Sequence, residues 1–366
     1  MDVVCLIGNG SSIVYNSELA IDSLTAGIIA AFNDLAGGSA AGDTLANFAR
    51  QVTGASRADF EGLLGPLDTI TQALPELSGA AAAFATVPWV ADPLNDASDA
   101  LRRLHRLGLG TALQLIATRA HGKGQDALND GVGSLVTSLR VLANPGDRLT
   151  IGTLNYDGLV LAALRENDVA DMARGYPEAL AEVIPGVQLP SLPLRTTDDL
   201  PDDRPVHLLQ LHGSLGWIRS GLSIRKFRID DLRTNEYWSQ VSRGLATSEP
   251  VVVLTDRKDT VVQTFPFGLA YEIFRNRLLK ASHWCVAGYS FLDVPVNRAL
   301  ENAIAIRRSL GYLDPKLLIL GYDDITVLTK RVTEALGGAL LADLFVDGGG
   351  LPGSVGGATW NAWSTA

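Results

Sequence analysis

Arg148-Leu149-Thr150-Ile151-Gly152-Thr153-Leu154-Asn155-Tyr156-Asp157 decides the fold. A short apolar run closed by polar residues reads as a buried strand, being too brief for a helix. The same pattern recurs where Val206-His207-Leu208-Leu209-Gln210-Leu211 runs into His212-Gly213-Ser214. It returns where Trp284–Ala287 precedes Gly288-Tyr289-Ser290-Phe291-Leu292-Asp293, and the runs Val251–Leu254 and Leu317–Leu320 extend it. Segments with helical spacing lie between these runs, and that alternation implies βαβ units and a mostly parallel sheet. In such sheets ligands bind beyond the carboxyl ends of the strands. Asn155, Asp157 and His212 therefore form a candidate catalytic floor.

Outward from this core, residues 2–8 read as a further strand, closed by Gly8-Asn9-Gly10-Ser11-Ser12. Glycines between a strand and a helix allow a tight turn and a close backbone approach. The helix N-terminus behind them offers free N–H groups and a positive dipole end. Ser11 or Ser12 suits an N-cap or a phosphate ligand, although a plain turn explains the cluster as well. The third glycine of the dehydrogenase fingerprint is missing, and no acidic ribose partner follows a second strand. A helix is expected from about Tyr15 to Ala36, stopped by Gly37-Gly38. From Gly42 to Leu142 the spacing is helical, with caps or breaks at Asp59, Pro75, Asp92-Pro93, Gly122 and Asn144-Pro145-Gly146.

The expected architecture is α/β: a doubly wound, mostly parallel sheet with a large helical insertion, residues 42–142, after its first strand-helix unit. Residues 1–347 make one catalytic domain. Tyr176–Pro205, rich in Pro and Asp, reads as a surface connection. The Gly- and Ser-rich tail, 348–366, is expected to be partly unordered.

Composition narrows the function classes. Of 366 residues, 47% are apolar and 19% charged, as in ordinary globular proteins. A net charge of −10 argues against a broad nucleic-acid face. Cys5 and Cys285 sit in apolar runs and form no Cys-x-x-Cys pair, so no thiolate zinc site and no other metal site is expected. The apolar start is too short for a secretory signal. Ala80–Ala91, interrupted by Pro88, falls short of the roughly 20 residues that span a bilayer. A cytoplasmic protein without a membrane partner is expected.

Each cluster has a chemical reading. Asn155 can orient a water or a ribose hydroxyl, and Asp157 can accept from a carboxamide; a turn or cap explains both equally well. His212, with an ordinary pKa of about 6.5, is the natural general base, a carbonyl-bonded structural histidine being the alternative. Gly288 and Ser290 suit a second close approach to a ligand, and Pro295 opens the helix that carries Asn297.

Together, Gly-Asn-Gly-Ser-Ser, Thr-Leu-Asn-Tyr-Asp, Leu-His-Gly-Ser and Gly-Tyr-Ser-Phe-Leu-Asp with Asn297 resemble the sirtuin-like NAD-consuming superfamily. The likeness spans residues 3 to about 322 apart from the helical insertion, and implies a Rossmann-like fold. The deacylases of that superfamily carry two Cys-x-x-Cys pairs after the catalytic histidine. This chain has none, and it resembles the bacterial antiphage branch instead, as does its segment Lys258–Pro266.

The resemblance implies an NAD+ hydrolase that releases nicotinamide and ADP-ribose and depletes NAD in abortive infection. Asn155 and His212 would be the catalytic pair, with Asp157 facing the carboxamide. Gly8, Asn9, Gly10, Ser11 and Ser12 would cradle the pyrophosphate. Gly288, Ser290, Asp293 and Asn297 would lie toward the adenosine half. NAD+ would be a substrate. A homo-oligomer or a co-encoded partner, such as a HerA-type ATPase or a short argonaute, would control the activity. A protein deacylase or ADP-ribosyltransferase, and a non-catalytic nucleotide sensor, are the alternatives.

Overall fold

Val3–Ile7, Leu149–Thr153, Val206–Gln210 and His283–Ala287 are buried at every residue. Strands covered on both faces belong to a parallel sheet with helices on either side. The computed structural model describes residues 1–53, 59–83, 91–143, 147–164, 168–175, 178–254, 258–338 and 341–366. Pro88 of the Ala-rich stretch, the candidate break at Asn144-Pro145-Gly146, and the Tyr176 start of the expected connection lie outside the described residues.

In chain order the strands are β1 Val3–Ile7, β2 Leu149–Thr153, β3 Val169–Asp171, β4 Ala179–Ile184, β5 Val187–Pro193 and β6 Val206–Gln210. They continue as β7 Gly213–Ser220, β8 Ser223–Phe227, β9 Glu249–Val252, β10 His283–Ala287, β11 Lys316–Leu320 and β12 Leu344–Asp347. Seven of them form a sheet of order β12-β11-β10-β1-β2-β6-β3 in which every pairing is parallel. With helices on both faces it is a Rossmann-like sheet. Successive side chains of β1 face opposite ways, as the pleat requires. Val4 and Leu6 pack with Phe274, Leu278 and Leu300 of the helices Phe267–Lys280 and Val294–Ser309. Val3, Cys5 and Ile7 pack on the other face with Leu135, Leu139 and Trp363.

Between β1 and β2 every described element is helical. The helix expected from Tyr15 is two: Gly10–Tyr15 ends at Asn16, whose extended backbone breaks the run and whose side chain accepts from the Glu18 amide at 3.1 Å. The chain resumes as Ile21–Leu35 and stops at Gly37 and Gly38, both at positive φ, as expected. Asp59 caps the helix Phe60–Ala83 by accepting from the Gly62 amide at 2.7 Å. Pro75 lies inside that helix and does not end it.

Three expectations need correction. Val251–Leu254 is not a strand of the parallel sheet. β9 belongs to a second, antiparallel sheet of order β4-β5-β8-β7-β9, whose Leu215 and Ile218 share a core with Phe32, Leu64 and Leu113 of the helical segment. The Pro- and Asp-rich stretch is more than a surface connection, since β4 and β5 form a hairpin that turns at Gly186 with φ of +77°. The C-terminal stretch is folded into the helices Gly350–Ser354 and Ala358–Thr365. Trp360 and Trp363 anchor it under the sheet, and the Trp363 indole N–H donates to the Lys316 carbonyl at 2.9 Å. Two tryptophans outweigh a composition that reads as loop. No helix among the described residues is long and apolar enough to cross a membrane.

Candidate active site

The sheet reverses its strand order between β1 and β10. β1 leads on to β2 on one side, and β10 opens the other half with β11 and β12. Such a switch point leaves a crevice at the carboxyl ends of the two strands. Here the loops after β1 and β10 interlock: the Gly8 amide donates to the Ala287 carbonyl at 2.9 Å, and the Gly10 amide to the Gly288 carbonyl at 2.8 Å. A Cβ on Gly8 would stand 2.6 Å from the Gly288 oxygen. One on Gly288, whose φ is +62°, would stand 2.4 Å from the Ser11 nitrogen. These glycines are thus required by loop-to-loop contact before any ligand is considered. Gly213 is similar: at φ of +89° it lets β7 pass β9, and a Cβ there would lie 2.3 Å from the Val251 oxygen.

Above the crevice lies a cavity of about 540 Å³, within the ordinary range for small-molecule sites. Of the residues singled out in the sequence, Gly8, Asn9, Gly10, Asn155, Asp157, His212, Gly288, Ser290 and Asp293 all line it. Ser11, Ser12 and Asn297 do not. Ser11 and Ser12 are fully buried; the Ser11 hydroxyl donates to the Gly8 carbonyl at 2.7 Å, and that of Ser12 to the Asp157 carboxylate. Asn297 braces the loop after β10, donating to the Phe291 carbonyl at 2.9 Å and accepting from the Tyr289 hydroxyl at 2.8 Å. These three build the walls of the site without facing its interior.

Asn155 stands two residues beyond the end of β2, where the backbone leaves the sheet. Its Nδ2 donates to the Gly8 carbonyl at 3.1 Å and to Ser12 Oγ at 2.8 Å. Those contacts fix the amide's orientation, because a carbonyl can only accept. Oδ1 of the same side chain is buried and has no hydrogen-bond partner among the described residues. A buried acceptor left this way is costly, on the order of 1–3 kcal/mol, unless something donates to it. Asp157 combines two roles: it lines the cavity, and its Oδ1 accepts from the Leu159 amide at 2.9 Å to start the next helix. Burial raises its pKa, against the lowering effect of the Ser12 hydroxyl and the Leu159 amide.

His212 sits in the two-residue link between β6 and β7 and is almost fully buried. Its Nε2 is 3.2 Å from the Tyr271 hydroxyl and 3.5 Å from Asp293 Oδ2. Burial lowers its pKa to about 4; the Asp293 charge opposes that shift and the Lys258 charge adds to it. At neutral pH the imidazole is uncharged and able to accept a proton. The Lys258 ammonium is 3.0 Å from Asp293 Oδ2 and 2.6 Å from Glu61 Oε2. Burial works against the lysine's charge, but the two carboxylates outweigh it and raise its pKa. Burial likewise raises the Glu61 pKa, with Lys258 pulling the other way. The Tyr156 hydroxyl closes this wall, donating to the Val253 carbonyl at 2.7 Å and lying 3.4 Å from Glu61 Oε1.

Glu61 and Tyr271 have no role in the sequence reading, and Lys258 enters it only as part of a segment. Glu61 follows the Asp59 cap and looks like an ordinary first-turn acid favoured by the helix dipole. In comparisons with known proteins, no family model matches the chain and no curated protein is detectably similar to it.

Proposed function

We propose that the cavity hydrolyses NAD+ at the nicotinamide–ribose bond, releasing nicotinamide and ADP-ribose. The observation that carries this reading is the convergence of Asn155 and His212, from the ends of neighbouring strands, on one cavity at the switch point. The unpartnered Oδ1 of Asn155 suits a hydroxyl or water donor, and the backbone loops after β1 and β10 suit a dinucleotide laid across the crevice.

In this reaction the bond between C1′ and the pyridinium nitrogen breaks, and its electron pair neutralises the departing ring. No acid is therefore needed for the leaving group. Positive charge grows on the ribose, as in other glycosyl transfers. Asn155 holds the water or a ribose hydroxyl in line. His212 accepts the proton released as the water oxygen bonds to C1′. The neutral nicotinamide and the ADP-ribose then leave. Partner-controlled NAD depletion in antiphage defence, in the cytoplasm, follows as the biological setting of this reading. The helical segment between β1 and β2 offers a surface for an oligomer or a co-encoded partner.

The test is nicotinamide release from NAD+, with and without the product of the adjacent gene. Tight NAD+ binding without release under both conditions would favour a sensor. Acyl-ADP-ribose formed from acylated peptides would favour a deacylase. A second measurement is the pH profile of kcat/KM, which reports groups of the free enzyme. With the neutral imidazole as base, activity is lost as pH falls through the lowered pKa of His212. The acid limb is expected near pH 4. A limb centred near 6.5 would mean that the catalytic base is not the buried His212.

A further inference from the structure

The charged groups beside His212 come from three separated parts of the chain and meet at one ammonium group. Lys258, at the start of the short helix Lys258–Val261, contacts Asp293 from the loop after β10 and Glu61 from the first turn of Phe60–Ala83. Both carboxylates and the lysine line the cavity with His212. We propose that Lys258 is a positioning residue for the reaction above: by bridging Glu61 and Asp293 it holds the Asp293 carboxylate beside His212 and balances its charge. The proposal rests on that reaction for its kinetic consequences, but the charge linkage it describes is a property of the folded chain alone.

Of the two carboxylates, Asp293 stands 3.5 Å from the buried imidazole and by itself would favour the imidazolium, which cannot accept a proton. The ammonium between them leaves the trio with a net charge of about −1 rather than −2. The groups facing His212 are Asp293 from the loop after β10, Tyr271 from Phe267–Lys280 and Lys258; Glu61 stands behind Lys258 and Tyr289 beside Asp293. Of these only Lys258 supplies positive charge. An exposed ion pair contributes little, but the Asp293 carboxylate is almost fully buried, and losing Lys258 strands it. The bridge also makes the first turn of Phe60–Ala83 part of the site. A displacement of that helix would reach His212 through Lys258 and Asp293 in turn.

The experiment is an NMR titration of the His212 ring protons in the full chain, assigned by comparison with His212→Gln. Lys258→Met and Lys258→Gln are each expected to raise the His212 pKa by about one unit, as the unopposed Asp293 charge favours the imidazolium. Glu61→Gln is expected to lower it, because the lysine's charge is then less compensated. With NAD+ as substrate, kcat for the Lys258 variants is expected to fall by up to about 10²-fold with little change in KM, and Lys258→Arg is expected to restore most of it. A His212 titration unmoved by both Lys258 replacements, or moved in the same direction by Glu61→Gln, overturns the proposal. If wild-type protein cleaves no NAD+ with any partner, the reaction assignment fails while the titration still decides the charge linkage.

Discussion

His212→Ala is expected to lower nicotinamide release by about 10²–10⁴-fold, the usual worth of a positioned general base. Asn155→Ala is expected to lower it by about 10²-fold through loss of alignment. The two replacements act differently on the fold. His212 is held by Tyr271 and Asp293 side chains, so alanine leaves Asp293 still paired with Lys258. Asn155→Ala leaves the Gly8 carbonyl and the Ser12 hydroxyl each without one of their donors, at about 1–3 kcal/mol. Circular dichroism and a thermal melt of each variant separate lost chemistry from lost structure. A well-folded double variant that turns NAD+ over at the wild-type rate would sink the assignment of both residues.

Gly288→Ala is expected to damage the site severely. Two penalties fall on the same atom. The residue sits at φ of +62°, and its Cβ would stand 2.4 Å from the Ser11 nitrogen and 2.8 Å from the Gly10 carbonyl carbon. Backbone in that region costs a non-glycine residue about 1–3 kcal/mol, and overpacking against backbone adds about as much again. The contact cannot relax by a rotamer change, because both neighbours are main chain. A large drop in the denaturation midpoint is expected, with NAD+ affinity lost at temperatures where the protein is still folded. Gly353→Ala is a suitable control: nothing lies within 4 Å of its Cβ position, and its φ is not positive. Equal stability of Gly288→Ala and wild type would show that the two loops do not depend on each other as described.

The five central strands of the parallel sheet are legible because they are buried on both faces, whereas the edge strands β3 and β12, partly exposed, are not. Runs such as Val3–Ile7 and Leu317–Leu320 have no other physical use for so many adjacent apolar residues. The polar residues that close those runs could be placed for the same reason: a strand's end fixes where the next side chain stands. The antiparallel sheet was not legible. In β4 only Val183 is fully buried, and β5 contains Pro190 and Pro193, so neither stretch shows an alternation strong enough to read. Val251–Leu254 has the apolar texture of a parallel strand, and only its partner β7 decides its sheet. The Glu61–Lys258–Asp293 bridge left no trace, because salt bridges between distant residues have no periodicity. Ligand approach is one reading of Gly8, Gly10 and Gly288 in sequence, but these residues, like Gly213, answer first to neighbouring backbone. The tail was misjudged because composition averages over nineteen positions what Trp360 and Trp363 decide alone.

The position of β1 has a consequence for synthesis of the chain. This strand leaves the ribosome before the other strands of its sheet, yet it lies at the centre between β2 and β10. One of its edges waits for residues 149–153 and the other for residues 283–287. Until the later segment emerges, the crevice between β1 and β10 has a single wall, and the loop after β1 has nothing to lock against. A nascent or truncated fragment ending before residue 283 therefore carries Asn155 and His212 but lacks the β10 wall and the loop that lock the turn after β1 in place.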